Sequence, residues 1–119
     1  MKNTPSADQA RLFDMYMAHW QAVLSLGDWR IEPGNRPAKN AMASVEINPP
    51  ARLAVYRLGD FGAEQITPDS LKRTALHECL HLLMHDLIEI AADRGATPEQ
   101  LEAAEHRVIN ALERVLTRE

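Results

Sequence analysis

Cysteine is almost missing from this chain: Cys79 is the single one in 119 residues, so no disulfide can form within it. A chain without that staple suits a reducing compartment, and a cytoplasmic location is the expectation. Long apolar runs are also missing, and nothing approaches the ~18 consecutive apolar residues of a membrane span. The opening Met1-Lys2-Asn3-Thr4-Pro5-Ser6 lacks an apolar core, so no secretory signal is expected. Positive charge is in short supply. Thirteen Lys and Arg against 17 Asp and Glu leave a net charge of −4, with no basic cluster, which argues against nucleic acid as a partner. There is no internal repeat, low-complexity tract or C-x-x-C pair. A hydrophobic fraction of 45% and a charged fraction of 25% are those of an ordinary globular protein, and the length fits a single domain over residues 1–119.

Against this plain background one stretch carries chemistry. Thr74-Ala75-Leu76-His77-Glu78-Cys79-Leu80-His81-Leu82-Leu83-Met84-His85 holds the pattern H-E-x-x-H inside a run of good helix formers. Residues four apart on an α-helix share a face and lie about 6 Å apart along the axis. His77 and His81 can therefore aim ring nitrogens at one point roughly 2.0–2.1 Å from each, which is how a zinc ion is held. Glu78 falls about 100° further round, where a general base can take a proton from metal-activated water. The plain alternative makes both histidines ordinary helix residues. Apolar flanks at Leu76, Leu80, Leu82 and Leu83 weigh against it, because unpartnered imidazoles there would be costly. Cys79 points away from His77 and reads as a small buried hydrophobe.

The pattern before the motif predicts helix and then strands. Ser6-Ala7-Asp8-Gln9 is a capping box, followed by a stripe of Phe13, Tyr16, Met17, Trp20 and Leu24 with Gly27 as the stop. Trp29–Glu32, Ala43–Ile47 and Leu53–Leu58 read as short strands, the last apolar on both faces, and turns at Pro33–Pro37 and Asn48–Pro50 separate them. Connections this short predict a largely antiparallel three-stranded sheet. Thr67-Pro68 opens the motif helix, which runs to about Ala92. Gly95 follows it, and Thr97-Pro98-Glu99-Gln100 opens a last helix to about Thr117. The expected class is α+β.

A catalytic zinc normally takes three protein ligands. His85 lies about 12 Å along the axis from His77, too far to share one metal with it. On the last helix Leu101, Ala104, Val108, Leu112 and Val115 define an inward stripe, and Glu105 sits within it. A carboxylate aimed at a core needs a partner, and zinc would be one. Glu105 is thus the expected third ligand, with Glu102, His106 and Asp93 as alternatives; the plain alternative is a helix turned slightly outward, which leaves Glu105 at the solvent edge.

His77-Glu78-Cys79-Leu80-His81 with a Glu on the next helix resembles the zincin metallopeptidases of the gluzincin type. Among these it is most similar to the small single-domain proteins of bacteria and their phages, including the ImmA/IrrE-like group. The likeness covers Leu71 to Leu116; the strands support it by their order alone. It implies peptide-bond hydrolysis with zinc on His77, His81 and Glu105 and with Glu78 as base. It implies a peptide or protein substrate laid along a sheet edge, with Ala43–Ile47 as the candidate edge. Tyr56 or His106 could help the oxyanion by residue type alone, and Tyr56 reads first as a packed strand aromatic. Met84 and Leu87 stand where the metzincin pattern needs Gly and His, which excludes that clan. The same missing Gly and third His separate the chain from YbeY-type endoribonucleases. SprT-like proteases use a third His, which only His106 could supply. A second expectation is a non-catalytic zinc-binding regulatory or interaction module with the same fold, motivated by the chain's brevity. A third, metal-assisted hydrolysis of RNA, is disfavoured by the acidic balance.

Overall fold

The three helices begin at the hydroxyl caps the sequence offers. In the computed structural model, which describes residues 2–117, Ser6, Thr67 and Thr97 each accept the backbone N–H three residues on. Each is answered by the side chain at that third position (Gln9, Ser70 and Gln100), which closes a full capping box. From these caps run α1 (Ala7–Val23), α2 (Pro68–Ala92) and α3 (Pro98–Leu116), with proline at the first position of the last two. Three strands lie between α1 and α2: β1 (Arg30–Pro33), β2 (Ala43–Asn48) and β3 (Leu53–Leu58). The chain is α+β, as expected.

Helix α1 stops earlier than Gly27. Ser25 takes the left-handed conformation (φ 59°), and the N–H groups of Ser25 and Leu26 reach back to the carbonyls of Ala22 and Gln21. This is the Schellman closure with serine in the usual glycine place. It follows from Leu26, whose complete burial next to the closure offsets the strain at Ser25.

The sheet is mixed rather than mostly antiparallel, with strand order β1-β3-β2. β2 and β3 form the expected antiparallel pair, with Val45 opposite Tyr56. Their turn is the 3-10 segment Pro49–Ala51 followed by Arg52 at φ 48°. β1 instead lies parallel to β3, with Ile31 opposite Ala54. The strand apolar on both faces takes the centre, with Ala54 and Tyr56 buried on one face and Leu53 and Val55 half-buried on the other, and the β2–β3 turn already claims one of its edges. The chain between β1 and β2 is long enough to cross to the other edge. Both β1 and β2 therefore end as edge strands.

The core gathers Phe13 and Met17 of α1, Trp29, Ala54 and Tyr56 of the strand region, and Leu71, Ala75, Cys79, Leu82 and Leu83 of α2. α3 closes one flank of α2 through Ala104, Val108 and Ala111. No helix among the described residues is long and apolar enough to cross a membrane.

Gly59 ends β3 where the preceding loop folds over it. A Cβ there would stand 2.3 Å from the carbonyl oxygen of Ala41 and 2.9 Å from that of Ala38. Both are backbone atoms, so the loop itself must move. Gly59→Ala is expected to cost about 1–3 kcal/mol, read as a lower urea midpoint with an unchanged slope.

Candidate metal centre

Helix α2 carries His77, Glu78 and His81 past the free edge of β2. The groove between them is lined by Ala43, Ser44, Val45 and Ile47 on the strand side and by His77, Glu78, His81, His85 and Ile88 on the helix side. The two motif histidines face solvent, so their face is open rather than packed against a core. Their Nε2 atoms nonetheless converge to 3.2 Å, with the rings nearly perpendicular at 81°. Two nitrogens on a tetrahedral zinc with ~2.05 Å bonds stand about 3.3 Å apart, so the pair matches one edge of that tetrahedron. The same spacing also suits a hydrogen bond between neutral rings of complementary tautomer.

Glu78 is buried, with 6% of its surface exposed, yet it lines this groove. Burial pushes its carboxyl above the ordinary range, against the pull of the His81 and His77 charges. A carboxylate kept from water beside two imidazoles is suited to accepting and releasing one proton. Its neighbour Cys79 faces the other way, fully buried with Sγ 3.9 Å from Met17. Burial, aided by the Glu78 charge, raises its thiol to about 12, so it is a packed side chain and no nucleophile.

The expected third ligand is not brought to this pair. Glu105 is exposed, and the inward stripe of α3 is Ala104, Val108 and Ala111, with Leu112 and Val115 half-buried beside it. Leu101, placed in the stripe by the sequence pattern, is exposed as well. α3 is rotated so that its alanines meet α2, which turns Glu105 outward. Glu102, His106 and Asp93 are also exposed, and none of them lines the groove. Asp93 has its own task, accepting the N–H of Gly95 in the turn between α2 and α3. Among the described residues no three His, Cys, Asp or Glu side chains lie close enough together to hold a metal. The histidine pair fits zinc; a third protein ligand is not in place.

Tyr56 is likewise turned away from the site. Its hydroxyl donates to Asp14 Oδ1 at 2.6 Å, and burial together with that bond raises its pKa. It packs beside Phe13, with ring centroids 5.7 Å apart, and lies outside the groove.

An ion-pair network that the sequence did not announce ties α2 to α3 and to the loops before β1 and β3. Arg107 of α3 donates to Asp86 of α2 at 2.8 Å and to both oxygens of Asp28 at 2.9 and 3.1 Å. Arg52 bridges the same two carboxylates, at 3.2 Å from Asp86, with its guanidinium 3.8 Å above the ring of Trp29. Burial alone would raise the Asp28 carboxyl, but the hydrogen bond from Arg52 and the charge of Arg107 outweigh it and hold it below its ordinary value. A depressed carboxylate stabilises the fold above its unfolded pKa, and that contribution is lost as pH falls through the folded one. Asp28→Asn should therefore melt below the parent at pH 7 and converge with it in acid. With half-exposed partners the gap is about 1 kcal/mol.

Comparison of the chain with known protein families, with curated proteins and with solved structures finds no match. The likeness to zincins rests on the motif, its helix and the order of elements.

Proposed function

We propose that this chain is a zinc-dependent peptidase of the zincin kind, with the metal held by His77 and His81 and with Glu78 as the general base. The observation that carries the reading is the 3.2 Å convergence of the two Nε2 atoms beside a buried carboxylate, in a groove bounded by a free strand edge. Bound zinc supplies Lewis acidity toward a peptide carbonyl and makes water acidic enough to attack at neutral pH. The chain's own residues do the rest. β2 offers unpaired backbone groups along which an extended peptide can pair as a further strand, bringing its carbonyl over the histidines. Glu78 takes the proton of the attacking water and passes it to the departing amine. The wall of Val45 and Ile47 keeps bulk water from one side of the groove.

The resemblance implies Glu105 as a third ligand, whereas that residue is exposed on α3 and outside the groove of His77 and His81. That shortfall favours a second reading, a zinc-binding interaction module without catalysis. Incubating purified protein with unfolded casein, with stoichiometric zinc or with a chelator, separates the two. The peptidase reading expects fragments only with zinc; a chain that binds zinc and melts higher with it but leaves casein intact is the module.

A further inference from the structure

A mostly apolar hollow lies away from the histidine pair. It holds about 450 Å³ and sits beneath Pro49, lined by Ile90, Ala103 and Ala104, with Asp86, Glu89, Gln100 and Arg107 among its remaining walls. His85 lines this hollow and also lines the groove of the histidine pair. His85 also lines a third depression, formed with Ile88, Glu89, Ile90, Ala92 and Asp93. One track therefore runs from His77 and His81 along α2 to the turn between α2 and α3. Pro49, the residue after β2, roofs its far end.

We propose that this hollow is a distal subsite of the peptide groove, taking an apolar side chain about four residues N-terminal to the bond that is cleaved. The proposal rests on the peptidase reading for the location of that bond. From the level of His77–His81 to that of His85–Ile90 is about 13 Å of helix, the length of about four residues of extended chain. Four is an even number, so such a residue points to the same side of the added strand as the residue over the histidines. Pairing with the free edge of β2 is the more stable in the antiparallel sense, which sends the peptide's N-terminal part toward Pro49. The ion pairs of Arg107 and Arg52 with Asp86 and Asp28 hold one wall in place and balance its charge, and the rest of the lining is mostly apolar, so the hollow favours an uncharged occupant.

The test uses decapeptides of one fixed polar sequence in which a single Leu, Ala or Asp is moved along the chain. Their affinity is read by fluorescence anisotropy on the zinc-loaded Glu78→Gln protein, so that binding is measured without turnover. One position is expected to bind Leu about tenfold more tightly than Ala, with Asp weaker than both. Ala103→Trp, which fills the hollow from its rim, and Ile90→Ala, which strips its wall, should each bring the Leu-to-Ala ratio close to one; thermal melts confirm that both fold. Mass spectrometry of products from the parent chain should place that position about four residues before the cut. No preference at any position, a preference that survives both substitutions, or one mapping to the C-terminal side of the cut overturns the subsite. A Leu preference erased by Ala103→Trp, with no peptide cut by the parent chain, upholds the subsite and sinks the peptidase reading. Casein cleavage without any Leu preference does the reverse.

Discussion

Glu78→Gln is expected to bind zinc as the parent chain does and to hydrolyse peptide about 10²–10⁴-fold more slowly. The amide matches the carboxylate in shape and leaves His77 and His81 untouched, so the metal pair keeps its geometry. On the proposed mechanism, what disappears is the group that takes and returns the proton, and general-base catalysis accounts for that range of rate. Folding should not suffer, because a buried carboxylate that burial already pushes toward its neutral form is replaced by a neutral group. Zinc occupancy by native mass spectrometry and kcat on one peptide, measured on the same sample, check both halves. Undiminished turnover removes Glu78 from the mechanism, and loss of zinc makes it a ligand instead.

His81→Ala is expected to weaken zinc binding by at least about 100-fold, and His77→Ala by a similar amount. A lone imidazole on an exposed helix face offers one bond where the pair offers two, since the Nε2 atoms stand 3.2 Å apart, a spacing one zinc can bridge. The double substitution should add little to either single one, because the residues act as a unit. Glu105→Ala should leave affinity within about twofold, given its exposure on the outer side of α3. Competition with a chromophoric chelator reads all four. A large loss at Glu105 would mean that α3 turns toward the histidines when zinc binds, and would restore the ligand set implied by the resemblance to gluzincins.

Much of the candidate site was legible because its chemistry is local. Four-residue spacing on one helix brings His77 and His81 together whatever surrounds them, and Cys79 follows as a residue on the opposite side. Glu105 is misplaced by the sequence pattern because the stripe runs through Leu101, which is exposed, and passes over Ala111, which is buried. In the structure the small side chains Ala104 and Ala111 let α3 approach α2 closely, and that contact sets the rotation of the helix. The network of Asp28, Arg52, Asp86 and Arg107 had no sequence signal, since its members come from four separate parts of the chain.

The amino-acid order by itself determined the helices, their hydroxyl caps, the strand segments and the paired imidazoles, because each of these depends on neighbours within a turn or two. Only the folded chain decided the order of strands, the outward direction of Glu105 and the track leading from the histidines to the hollow beneath Pro49. Those depend on which surfaces meet across long separations, where competition for the buried centre, rather than local preference, selects the arrangement.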